Sequence, residues 1–212
     1  MKVLKNILFR KICFRWARDK VGEESKMNVL AISGTPRKGG NSEILLNAAL
    51  EPFAENGWEI TKVLLSEKKI GMCVGCESCA QTGQCVIRDD MDEVYEAFAR
   101  CDAMIISAPA YWRNVPAQLK ALFDRTYAVD YAKTFRGKLG GAIVVGRGSS
   151  GGQAIVLNII HNYFLSCGVL CVPGELNGVT ASADKPGDIL SQPRRLEQAR
   201  ILARNIIAYA ER

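Results

Sequence analysis

The sequence predicts an α/β fold in which one parallel sheet lies between two layers of helices. Short apolar runs alternate with longer segments of helical period from Met27 to the C-terminus. The runs are rich in Val, Ile, Leu and Ala with little polar alternation, as strands covered on both faces require. Much of the glycine falls in the loops that follow strands, where the chain must turn back over the sheet.

Asn28–Ser33 reads as a buried first strand. Asn41 to Asn56 reads as a helix closed by Gly57, with Pro52 able to kink it. Glu59–Leu65 is the second strand, and a cysteine-rich loop follows. Asp89 or Asp90 caps a helix that runs to about Arg100. Ala103–Ser107 is the third strand, Ala117–Tyr127 a helix and Gly141–Val145 the fourth strand. Gln153–Ser166 is a helix and Val169–Val172 the fifth strand. The final helix runs from Pro193, a favoured first-turn proline, to about Ala210. Such alternation makes a three-layer sandwich. Its five strands fit the flavodoxin-like order 2-1-3-4-5.

The 212 residues bury a good core and are read as one domain over 27–212, preceded by a basic extension over 1–26. The extension holds eight Lys or Arg against three acids, so most of the net charge of +6 belongs to it. The main domain is close to neutral, which argues against a nucleic-acid role. No secretory signal is read in the extension, whose best apolar run is Ile7-Leu8-Phe9. Gly148 to Gly174 carries no Asp, Glu, Lys or Arg. Polar side chains interrupt it and Gly168 and Pro173 break it, so it reads as a buried helix and a central strand, not a membrane span. Eight cysteines without an export signal point to a reducing cytoplasm.

Four of those cysteines, Cys73, Cys76, Cys79 and Cys85, fall in thirteen residues with the spacing C-x2-C-x2-C-x5-C. That spacing gathers thiolates as an iron–sulfur cluster requires. Zinc sites more often use two separated pairs or mixed Cys/His sets. Zinc, a redox-thiol pair and an empty loop stand as the alternatives. Cys101, Cys167 and Cys171 read as small apolar core residues. His161, mid-helix, reads as a packed residue, the pair Asp124-Arg125 receives no role, and no catalytic acid or base is identified.

Three further runs end strands at the carboxyl edge of the sheet, where ligands bind in such folds. The first is Ser33-Gly-Thr-Pro-Arg-Lys-Gly-Gly-Asn-Ser42. Thr35, Asn41 and Ser42 offer hydroxyl or amide groups, Arg37 and Lys38 offer charge, and Gly40 lets the backbone turn into a helix N-terminus. Together they suit a phosphate monoester. The second is Pro109-Ala-Tyr-Trp-Arg-Asn114, in which Tyr111 and Trp112 offer packing for a flat aromatic ligand. The third, Gly146-Arg-Gly-Ser-Ser-Gly-Gly152, lets backbone amides approach a ring through Gly146, Gly148 and Gly151.

Together these runs resemble the flavodoxin-like proteins of the NADPH-dependent FMN reductase superfamily. With the cysteines included, the chain most resembles the iron–sulfur flavoproteins, over about Met27 to Tyr209. The resemblance implies that Ser33, Arg37, Asn41 and Ser42 surround the phosphate of FMN. It implies that Pro109, Ala110, Tyr111, Trp112, Arg113 and Asn114, with the loop around Gly148, line the flavin ring. Cys73, Cys76, Cys79 and Cys85 would hold a [4Fe–4S] cluster. It also implies a dimer or tetramer with a cluster near a flavin across a subunit contact. The expected activity is electron transfer from a ferredoxin-like donor through cluster and FMN to an acceptor. An NAD(P)H-dependent FMN or quinone reductase without a cluster is the alternative, and a redox-sensing module that does not turn over is a third.

Overall fold

Each apolar run read as a strand from Asn28 onward becomes one, and every strand among the described residues pairs parallel to its neighbours. The computed structural model describes residues 26–129, 134–148 and 151–212. The expected basic extension lies outside the described residues apart from Lys26, as do Cys13 and part of the third glycine loop. The strands are β1 (Asn28–Ser33), β2 (Glu59–Leu64), β3 (Ala103–Pro109), β4 (Leu139–Gly146), β5 (Leu170–Cys171) and β6 (Val179–Ser182). Their order is β2-β1-β3-β4-β5, as expected from five strands, with β6 added beside β4.

The sixth strand is the main departure from the sequence reading. β4 pairs through Leu139 and Gly140 with β5, then through Ile143–Gly146 with β6. The expected fifth strand, Val169–Val172, is present as the short β5, and β6 is an addition beyond it. Pro173 has no N–H to donate and is followed by Gly174, so the chain leaves the ladder at the sheet edge and returns at Val179.

The helices are α1 (Asn41–Glu55), α2 (Ser78–Thr82), α3 (Met91–Arg100), α4 (Ala117–Arg125), α5 (Gln153–Cys167) and α6 (Pro193–Ala210). Alternate strand residues serve opposite layers. Leu30 and Ile32 pack with Phe98 of α3, Leu122 of α4 and Phe164 of α5. Val29 and Ala31 pack with Phe53 of α1 and Leu202 and Ile206 of α6. These strand residues are fully buried, which explains their unbroken apolar runs. Pro52 sits inside α1, whose last turn continues beyond it because the Pro52 carbonyl accepts from the Asn56 N–H at 3.1 Å and from its side-chain amide at 2.8 Å. The uncharged stretch after Gly148 forms α5, ended by Gly168 at a left-handed φ of 76°. No helix among the described residues is long and apolar enough to cross a membrane.

This topology creates the site. The chain leaves β1 for β2 on one side and reaches β3 on the other, so a crevice opens where Ser33 and Ser107 pair at the strand ends. Phe98 is fully buried and meets Phe135 edge to face at 4.9 Å. Phe98→Ala is expected to cost about 3–5 kcal/mol in urea unfolding. Leu165→Ala, at a side chain 64% exposed, should change stability by less than about 0.5 kcal/mol.

Candidate functional site

The first strand-end loop folds inward on itself. The buried Thr35 hydroxyl accepts from the Arg37 N–H at 3.1 Å, and Glu43, in the first turn of α1, accepts from the Gly39 N–H at 2.9 Å. The Ser107 hydroxyl donates to the Ser42 carbonyl at 2.7 Å and ties α1 to β3. Beside it, the Ser33 hydroxyl is buried without a hydrogen-bond partner. Gly40 caps α1 without a side chain, so no protein side chain closes its N-terminal N–H groups. An uncapped helix end, an orphaned hydroxyl and the exposed Arg37 make a donor set that fits a phosphate.

Two members of the expected cradle are otherwise engaged. Lys38 pairs with Glu67 at 2.5 Å. The Asn41 side chain turns to the segment after β6, donating to the Lys185 carbonyl at 2.8 Å and accepting from the N–H groups of Gly187 at 3.0 Å and Ile189 at 3.3 Å. Asn41 thus latches that segment against the start of α1.

The second run makes a tight turn. Tyr111 and Asn114 exchange two backbone hydrogen bonds of 2.9 Å across Trp112 and Arg113. Both central residues are left-handed, with φ of 49° and 60°. Hairpin turns of that geometry favour Asn-Gly, so a Trp-Arg pair there stores strain. The turn is rooted in the sheet by the Ala110 N–H, which donates to the Val145 carbonyl at 2.8 Å. Tyr111 is 40% exposed and Trp112 wholly exposed.

The third run leans on the second. A Cβ at Gly152, whose φ is +85°, would lie 2.8 Å from Cγ of Arg113, so only glycine permits this approach. Gln153, a residue that sequence reasoning passed over, holds the loop from beneath. Its side chain occupies the space of a Cβ on Gly146, and its amide donates to the Gly148 carbonyl at 2.7 Å and the Ser182 hydroxyl at 3.1 Å. A lone glutamine at a helix start carries no spacing signal. The structure therefore joins the second and third runs, with Gly146, Gly148 and Gly151 at the same sheet edge as Pro109–Asn114.

The cysteine loop forms a second centre. Cys73, Cys76, Cys79 and Cys85 are free thiols that line one cavity of about 160 Å³ with Val74, Val86, Ile87 and Tyr127. As the side chains stand, no three His, Cys, Asp or Glu residues among the described residues converge on a single ion. The sulfurs border a shared space instead. Four thiols about one apolar cavity form a donor set that fits a thiolate-bound cluster. The Ser78 backbone N–H and hydroxyl hold the Cys76 thiol below its ordinary range. Glu77 and Gly75 are left-handed, and the short α2 carries Cys79.

What anchors this loop is Arg125 of α4, a residue given no role from sequence and not paired with Asp124, which binds Lys120 at 2.5 Å. Its side chain is 1% exposed. One terminal nitrogen donates to the Gly71 carbonyl at 3.0 Å and to Asp89 at 2.8 Å, and the other to the Ile87 carbonyl at 3.0 Å and to Asp89 at 3.2 Å. Asp89 also accepts from the N–H groups of Gly71 at 2.7 Å and Met91 at 3.0 Å. Burial pushes the Asp89 carboxyl up, but Arg125 and these N–H groups outweigh it and hold it below the usual carboxylate range. Tyr95 donates to the Arg125 carbonyl at 2.9 Å, and burial, with Arg125 opposing and the Cys85 sulfur adding, pushes its phenol up to about 12. His161 lies mid-helix on α5, where burial lowers its pKa and leaves it neutral at pH 7.

Residues 27–182 match the protein family described as NADPH-dependent FMN reductase. An iron-sulfur flavoprotein of Methanocaldococcus jannaschii is 37% identical over 184 residues, covering 85% of this chain and 95% of the relative. Another, of Methanosarcina thermophila, is 42% identical over 148 residues, covering 69% of this chain and 77% of that one. The solved structure of a flavodoxin, a WrbA-like protein of Agrobacterium tumefaciens, superposes with a TM-score of 0.61 at 18% identity. It covers 88% of this chain and 98% of its own. That likeness shows the flavodoxin-like fold.

The Asp89 carboxylate should stabilise the protein above its unfolded pKa of about 3.9 and cease to do so as pH falls through its lower folded value. Asp89→Asn, which leaves a buried guanidinium uncompensated, is expected to cost about 3 kcal/mol at pH 7. Urea unfolding of both proteins from pH 7 down to pH 3 checks this, since the difference should narrow in acid. A difference independent of pH would assign the stabilisation to some other group.

Proposed function

The chain belongs to the NADPH-dependent FMN reductase family, and from that premise we propose that it is an iron–sulfur flavoprotein taking electrons from a ferredoxin-like donor. It is an oxidoreductase of flavin electron transfer. The observation that carries the finer reading is the placement of all four cysteines of the C-x2-C-x2-C-x5-C motif around one cavity. The likeness to relatives named iron-sulfur flavoproteins supports it. When bound, FMN exchanges one or two electrons and a [4Fe–4S] cluster one, and that redox chemistry is the cofactors' own.

The protein's part is to bind and orient. In this reading the first turn of α1 receives the FMN phosphate on N–H groups left open by the Gly40 cap, with the orphaned Ser33 hydroxyl and Ser42 beside it and Arg37 supplying charge. Asn41 acts at that site through the 185–189 segment, and Lys38 sits beside it paired with Glu67. The strained Tyr111–Asn114 turn, with Gly146, Gly148, Gly151 and Gly152, forms one rim for the flavin ring. Cys73, Cys76, Cys79 and Cys85 ligate the cluster in a pocket that Val74, Val86 and Ile87 also line. The working domain in this reading is 27–212, assembled as a dimer or tetramer. No side chain is assigned a proton transfer in this reading.

Iron and acid-labile sulfide per FMN, measured on protein purified without oxygen, test the reading. About four of each per FMN is the expected result. FMN with neither would leave an NAD(P)H-dependent FMN or quinone reductase. Cys76→Ala should lose iron and sulfide yet keep FMN, and full retention of iron would remove Cys76 from the ligands. Arg37→Ala should weaken FMN about tenfold, the worth of one charge-assisted contact, while leaving riboflavin binding unchanged. Equal weakening of both flavins would place Arg37 away from the phosphate.

A further inference from the structure

We infer that Arg125 is a positioning residue for the metal centre: its buried guanidinium clamps the neck of the cysteine loop so that the four thiols face one cavity. The inference rests on the cluster reading above. Gly71 lies two residues before Cys73, Ile87 two after Cys85 and Asp89 four after it. The guanidinium binds the carbonyls of the first two and the carboxylate of the third, so both ends of the loop meet at one planar fork. Between those ends the loop is largely exposed, and α2 within it is a single short helix. A loop so placed owes the closeness of its ligands to its closed ends, because freeing one end dilutes the thiols around the cavity.

Three details show a fitted clamp. Arg125 is the largest fully buried side chain among the described residues, although a guanidinium loses several favourable contacts with water on burial. Gly71 sits directly against the ion pair, where a Cβ would meet Oδ2 of Asp89 at 3.4 Å and Nη1 of Arg125 at 3.9 Å, ordinary contact distances. Beyond Arg125 the chain turns at Thr126–Ala128, and Tyr127 of that turn lines the cysteine cavity. The same helix that carries Arg125 at its last residue starts just after the Tyr111–Asn114 turn. α4 is thus a rigid strut from the flavin rim to the loop neck, and Arg125 is the joint at its far end.

The test uses the whole FMN-loaded chain, purified without oxygen, and follows iron release to a ferrous chelator. Arg125→Met should keep its FMN per chain and release iron at least about tenfold faster than the wild type. Arg125→Lys should fall between, because an ammonium keeps the charge but cannot span Gly71, Ile87 and Asp89 with one rigid fork. Ile206→Ala, a core change in the opposite helix layer, is the control for simple destabilisation and should release iron at the wild-type rate. Release from Arg125→Met at the wild-type rate would overturn the inference, as would equally fast release from Ile206→Ala. If Arg125→Met does not fold, Arg125→Lys decides on the same terms. A wild type without iron and sulfide would sink the cluster reading and this inference with it, whereas an iron-bearing wild type matched by Arg125→Met sinks the inference alone.

Discussion

A guanidinium taken out of water must find partners for its charge and its N–H groups, and the Arg125–Asp89 pair is where this protein meets most of that demand, the two terminal nitrogens being bonded while the buried Nε has no partner. The cost of burying either ion alone would be several kcal/mol. Bidentate pairing and two backbone carbonyls offset it, and they do so only if Gly71, Ile87 and Asp89 stand together. One electrostatic requirement therefore dictates the path of a long, exposed loop. The same carboxylate reaches the Met91 N–H, so the start of α3 is set by the pair as well.

The opposite end of α4 meets a different constraint. Parallel strands leave their carboxyl ends at one edge, and the reversal of order between β1 and β3 opens a crevice there. Three segments at its margins are each tied down by an internal side-chain hydrogen bond. Ser107 ties α1 to β3, Gln153 supports the glycine loop, and Asn41 secures the segment after β6. Because these contacts are internal, the Tyr111–Asn114 turn can keep a left-handed Trp-Arg pair that an unsupported turn would relax. Strain at that rim is sustained by packing, chiefly the approach of Gly152 to Arg113.

These two ends make the division of labour clear. The sheet and its two apolar layers supply stiffness, the strand-end loops supply shape, and the cysteine loop supplies four free thiols. Membership of an FMN reductase family accounts for the first two. The third is an excursion between β2 and α3, held to the scaffold at its neck and lying outside the sheet.

Sequence alone determined the layered fold, because burial on both faces leaves unbroken apolar strands and helical periods that need no partner to be read. It placed α6 from Pro193 to Ala210 and predicted the order of the first five strands. It also singled out the four cysteines, whose spacing is local. Tertiary structure alone decided three things. β6 follows a break at Pro173, and four residues of modest apolarity carry too little local signal to announce a strand. Asn41 sits in a phosphate-like loop, but its amide is committed to residues 185–189, nearly 150 positions away. Arg125 lies beside Asp124 in the chain and pairs instead with Asp89, 36 residues earlier. Local pattern reports which face of an element is apolar. Which distant polar group meets a buried charge depends on how the elements pack, and no spacing in the chain records it.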